Sequence, residues 1–164
     1  MLIISHKSSL DFKNFLDSNN FTWIETIDNP NLDPRIADHP DLSIFSLGGK
    51  NLVIDKNLKD YYKGLLPDYN IIAGEHVSNK YPYDSIYNVY KNSNFYIHND
   101  STESHIEYFF KNNNYKHFFI KQGYTRCSII PMRDKILTCD YGIYKTLKGK
   151  IEVILLERED IDLD

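Results

Sequence analysis

The sequence predicts an α/β fold assembled from tandem strand-strand-helix-strand (ββαβ) units. Two observations carry that reading. A polar loop followed by a Ser-Ile step returns three times, in "HPDLSIF" (His39 to Phe45), "YPYDSIY" (Tyr81 to Tyr87) and "YTRCSII" (Tyr124 to Ile130). Behind each step the same order of apolar segments follows, with a period of about 40 residues, in the range that marks arrays and propellers.

The first full unit places a strand after Ser43, a Gly48-Gly49 turn and a second strand at Asn51 to Asp55. An amphipathic helix near Leu58 to Leu66 and a third strand at Asn70 to Gly74 complete it. Gly48-Gly49 lacks the Lys-Ser/Thr of a phosphate loop and leads into a strand, so it reads as a hairpin turn. The second unit repeats the order with a helix from about Thr102 to Lys111, where Asp100 and Glu103 form a capping-box-like start. The third shows strand, turn, strand, short helix and strand again. Ahead of them "MLIIS", "SLDFKNFLDSN" and "FTWIETI" read as strand, helix and strand, a unit without its opening strand. Residues 28–40, rich in Pro and Asp, read as a linking loop. The expected organisation is one domain over residues 1–164: a partial unit and linker over 1–38, then units over 39–80, 81–122 and 123–164. The acidic end "EREDIDLD" is expected to fray.

At 164 residues the chain is long enough for one real core. A formal net charge of −4, with no block of Lys or Arg, argues against nucleic acid and anionic membranes as partners and suits a cationic ligand. No apolar run approaches the roughly 20 residues of a membrane span, and "MLIISHKSS" lacks the features of a signal peptide. The expected location is cytoplasmic, where two cysteines imply reduced thiols. The 13 Tyr and 9 Phe suit half-buried positions, since a tyrosine ring packs while its hydroxyl stays wet.

If the units surround a pseudo-symmetry axis, the three junctions converge near it. The first offers Asp38, His39 and Asp41, the second Tyr81, Tyr83 and Asp84, and the third Tyr124, Arg126 and Cys127. A thiol, an imidazole and carboxylates facing one cavity are the parts of a cysteine-nucleophile site. Cys127 and His39 are the candidate catalytic pair. Asp41, Asp84, Arg126, Tyr83 and Asp38 are candidates for substrate binding, the carboxylates because a planar cation wants paired acceptors. Cys139, in "ILTCDYG", has no such partner and reads as structural. His98, His105 and His117 do not make a zinc phrase, so neither a metal nor another cofactor is expected.

Tandem ββαβ units with "HPD" at one strand start and "GYTRCS" two units later resemble the pentein fold of the guanidino-group-modifying superfamily, which includes arginine deiminases, dimethylarginine hydrolases and amidinotransferases. The phrases "HPDLSIF", "KYPYDSIYN" and "KQGYTRCSI" look closer still to an uncharacterised pentein-like family from Firmicutes. The resemblance implies a pentein-like α/β propeller. It also implies hydrolysis of a C–N bond of a guanidine- or amidine-like small molecule through Cys127, with His39 protonating the leaving amine. A complete pentein has five units and this chain has fewer than four, so the propeller is expected to be incomplete. An open ring, a blade lent by another chain in a homo-oligomer, or a longer parent chain would each account for that. The superfamily's second catalytic carboxylate has no clear counterpart here. Ribosome anti-association factors resemble the same propeller, so the alternative is a non-catalytic binding module for a small cation or a protein.

Overall fold

A computed structural model describes residues 1–133 and 135–157; the acidic C-terminal segment expected to fray lies almost wholly outside them. The chain is a mixed α/β protein with the predicted repeat. Its partial unit runs β1 (Leu2–Ile4), α1 (Leu10–Ser18) and β2 (Trp23–Glu25). The first full unit is β3 (Ile44–Gly48), β4 (Asn51–Asp55), α2 (Lys59–Leu65) and β5 (Asn70–Gly74). The second is β6 (Tyr90–Lys91), β7 (Phe95–His98), α3 (Ser104–Asn112) and β8 (Lys116–Phe119). The third is β9 (Ile130–Met132), β10 (Lys135–Thr138), α4 (Tyr141–Leu147) and β11 (Glu152–Leu155).

Each full unit forms its own three-stranded sheet: the middle strand pairs antiparallel with the strand before it and parallel with the strand after the helix. The partial unit has only the parallel pair β1 and β2. Among the described residues the four sheets remain separate and none closes on itself. The β3-β4 hairpin turns at Gly48 and Gly49, whose φ values of 120° and 56° lie where side chains are disfavoured.

The units hold together because α2, α3 and α4 are each shared with the unit before. Leu58, Tyr62 and Leu66, on and beside α2, pack with Leu52 and Ile54 of their own sheet and with Ile3 and Ile24 of the partial unit. Ile106 and Phe110 on α3 meet Phe45 and Val53 of the first unit, and Phe110 stacks on Tyr96 with ring centres 4.0 Å apart. Ile143 and Leu147 on α4 meet Ile97 and Phe118 of the second. No unit could bury its helix alone, which is the physical meaning of the period.

The N-terminus of α3 departs from expectation. The cap is Glu103 itself, fully buried, whose carboxylate accepts from the N–H of Ile106 at 2.9 Å. It also accepts from the Glu75 N–H at 3.2 Å, so the residue ties the helix to the end of the preceding unit. Asp100 lies outside the cap because the helix starts four residues later.

Candidate functional site

The recurring serines have a common structural task. The carbonyl of Ser43 accepts from the Asp55 N–H at 2.9 Å, that of Ser85 from His98 Nε2 at 3.2 Å, and that of Ser128 from the Thr138 hydroxyl at 2.7 Å. Asp55, His98 and Thr138 are the last residues of β4, β7 and β10, so every junction is pinned to the end of the middle strand of its unit.

With the serines pinned, the residues around them converge. A short 3-10 turn over Pro40–Leu42 buries Leu42 and turns Asp41 inward. The second junction does not run straight into its strand: a turn from Ser85 to Asn88, closed by the Asn88 N–H on the Ser85 carbonyl at 2.8 Å, delays β6 to Tyr90. That turn delivers Asn88, fully buried, between the other two junctions. Its Nδ2 donates to Asp41 Oδ2 at 2.7 Å and to Cys127 Sγ at 3.0 Å. Its Oδ1 accepts from the Arg126 N–H at 2.8 Å and the Cys127 N–H at 3.3 Å, which fixes the orientation of the amide. The Cys127 thiol in turn donates to Asp41 Oδ2 at 2.8 Å. Three successive units therefore contribute one side chain each to a closed triangle.

Electrostatics in the triangle keep the thiol protonated. Burial of the sulfur and the Asp41 carboxylate push Cys127 up to about 12, against weaker opposing effects of the Asn88 bond and the Arg126 charge. As a residue Cys127 is exposed, so the crowded sulfur lies near an open face.

Beside the triangle, Asp84 occupies in the second unit the register that Cys127 occupies in the third, directly ahead of the serine. The residue is 9% exposed, with Oδ2 accepting from the Tyr124 hydroxyl at 2.6 Å and Oδ1 left without any hydrogen-bond partner. Burial and then the bond to Asp84 raise the Tyr124 hydroxyl far above its ordinary value, so it stays a donor. Tyr81 stacks on Tyr124 at 6.3 Å, and its hydroxyl accepts from the Gly123 N–H at 3.1 Å. Gly123 sits so close to the second junction that a Cβ would come within 2.2 Å of Ser85 Oγ.

The remaining candidates are placed as follows. His39 is exposed and makes no hydrogen bond to Cys127 or Asp41. Tyr83 is exposed, 59% by area. Asp38 is buried, but its carboxylate is engaged by the Ser5 hydroxyl and by Lys7 Nζ at 3.0 Å, a latch onto the N-terminal strand. Burial alone would raise that carboxyl; the two donors outweigh it and hold it at about 2. Arg126 is bonded through its backbone, while its guanidinium has no hydrogen-bond or ion-pair partner among the described residues. Cys139 is a second free, exposed thiol.

His98 is not available for chemistry. Its Nε2 donates to the Gly123 carbonyl at 2.9 Å and its Nδ1 pairs with the Thr102 hydroxyl at 2.8 Å. Burial pushes the imidazole down to about 4, only partly offset by its bonds to backbone carbonyls. Among the described residues no three His, Cys, Asp or Glu side chains gather as a metal site, and no helix is long and apolar enough to cross a membrane.

The chain belongs to a family of unknown function, DUF6873, whose model matches residues 3–164. No curated protein and no solved structure matches it.

Proposed function

We propose that this DUF6873 member is a cysteine-dependent hydrolase of a guanidine or amidine C–N bond, built on a pentein-like, incomplete propeller. The observation that carries the reading is the meeting of Asp41, Asn88 and Cys127, one from each of three successive units, within 2.7 to 3.0 Å of one another. The sharing of α2, α3 and α4 with the preceding unit supports the blade arrangement, because it gives each full unit the same relation to its neighbour.

The chemistry follows from the protonated thiol. A planar cation seated against Asp41 adds a positive charge beside the sulfur and offsets the carboxylate that holds its proton. The thiol proton then passes to Asp41 as sulfur bonds to the central carbon and its C=N bond becomes single. Proton transfer to the departing nitrogen allows the C–N bond to break, releasing the amine and leaving an S-linked thiouronium or thioimidate. Water adds to that carbon, a proton is lost, and the C–S bond breaks. The product is a urea or amide, and the thiol is regenerated. Asp84 is assigned as a second carboxylate on the strength of its buried Oδ1, which lacks a hydrogen-bond partner. His39, on the exposed rim two residues from Asp41, is assigned proton delivery to the leaving amine.

A second reading draws on the raised Cys127 pKa and the separation of His39: the same carboxylates would hold a cation without turnover. Intact-mass labelling with 2-chloroacetamidine, with iodoacetamide as the neutral comparison, separates the two. The hydrolase reading predicts amidine labelling of Cys127 that outpaces Cys139, disappears in Cys127→Ser and slows in His39→Ala. Labelling that follows exposure equally at both cysteines would sink it.

A further inference from the structure

Around the first strands of the three full units lies a cavity of about 470 Å³, within the size range of small-molecule sites. Ile44 to Ser46 of β3, Val89 to Asn92 around β6 and Pro131 beside Arg133 around β9 form its walls. Phe45, Tyr90 and Phe95 make those walls aromatic.

Its charge runs against that of the chain. Although the net charge is −4, four cations among the described residues line the cavity, Lys91, Arg126, Arg133 and Lys135, against one described carboxylate, Asp41. That carboxylate is already engaged by Asn88 and Cys127. Two of the cations are engaged as well: Lys91 Nζ donates to the Leu47 carbonyl at 2.9 Å, and Lys135 pairs with Glu152 at 2.5 Å. The guanidiniums of Arg126 and Arg133 have no hydrogen-bond or ion-pair partner among the described residues. Two unsatisfied forked donors on one aromatic-walled cavity match a planar or tetrahedral oxyanion attached to an apolar body.

We infer that this cavity binds an organic anion, a carboxylate or phosphate on an aromatic or aliphatic body, with Arg126 and Arg133 holding the charged group. The inference does not depend on hydrolysis at Cys127: the cavity shares Asp41 with that site, but the anion is held by Arg126 and Arg133 and uses neither the thiol nor His39.

Calorimetric titration with phenyl phosphate, 3-phenylpropanoate and inorganic phosphate tests it, with benzamidine as a cation of similar body. Both organic anions are expected to bind more tightly than inorganic phosphate, since only they fill the aromatic walls. Whichever of the two is tighter identifies the headgroup. Arg126→Gln and Arg133→Gln should each weaken the anions by about tenfold or more, the loss of one charge-assisted contact. Lys63→Gln on the outside of α2 should not weaken them. Circular dichroism establishes that each variant is folded, and Arg133→Lys keeps the charge while losing the fork, with an intermediate loss expected. Anion binding indifferent to both arginines, or organic anions no tighter than inorganic phosphate, overturns the assignment; benzamidine, which the hydrolase reading seats at Asp41, should not be weakened by either arginine substitution. Failure of amidine labelling at Cys127 would leave it standing.

Discussion

The ends of the middle strands and the loops that meet beside them are built from the same repeat, yet they treat polar side chains in opposite ways. Asp55, His98 and Thr138 are buried, and each is bonded to backbone around it. Asp41, Asn88 and Cys127 are bonded chiefly to one another, and the cysteine lies at an open face. The first set answers to the fold and would be costly to change. The second set is less tied to the backbone of its own unit, and in the proposed reading it meets the ligand.

That contrast orders the expected effects of substitution. The largest belongs to Asp55, whose carboxylate accepts from the N–H groups of Asn57 and Val77 at 2.9 Å each and from Asn29 at 3.0 Å. Asp55→Ala strands buried donors and should cost about 3 kcal/mol or more in urea denaturation. Cost below about 1 kcal/mol would mean that strand ends and site loops do not differ as described.

Next comes the pH dependence set by His98. The free imidazole titrates near 6.5 and the buried one near about 4, so on acidification the unfolded chain takes up the proton first. Stability attributable to His98 is complete above pH 6.5 and falls by on the order of 3 kcal/mol as pH drops to about 4. In His98→Gln that part of the slope should vanish, as denaturant midpoints across this window would reveal. An unchanged slope would show that folding does not shift the proton affinity of this imidazole.

Smaller stability effects and larger reactivity effects are expected in the triangle. Asn88→Ala should destabilise by roughly 2 kcal/mol, since the Cys127 N–H loses its acceptor and Asp41 a donor, while the Arg126 N–H keeps the Asn88 backbone carbonyl at 3.2 Å. It should also slow neutral alkylation of Cys127, because the Asn88 bond opposes the raised pKa. Faster alkylation in that variant would place the amide in a different role.

The repeat was legible in the sequence because burying one helix between two sheets imposes a periodic apolar pattern, and the Gly48-Gly49 turn was legible because it needs positive φ. Asp41, Asp84 and Cys127 were found by their place before the serine. Asn88 was missed, since it follows its serine by three residues inside "SIYNVY", a stretch that reads as uninterrupted strand. A buried Asn in such a run was the available signal. The sequence also could not tell inward from outward side chains on a loop. The turn at Pro40–Leu42 sends Asp41 to the thiol and leaves His39 outside, while Asp38 is drawn back to Ser5 and Lys7.

The most direct measurement is the rate of Cys127 alkylation in wild type and Asp41→Asn by two reagents of similar size, neutral iodoacetamide and cationic 2-chloroacetamidine, at one pH near neutrality. Asp41 both raises the thiol pKa and, in this account, seats the cation. Its neutralisation should therefore speed the neutral reagent, about tenfold for each unit by which the pKa falls, and slow the amidine relative to it by a larger factor than in wild type. Equal changes with both reagents would show that Asp41 influences the sulfur alone and that the site does not select a planar cation.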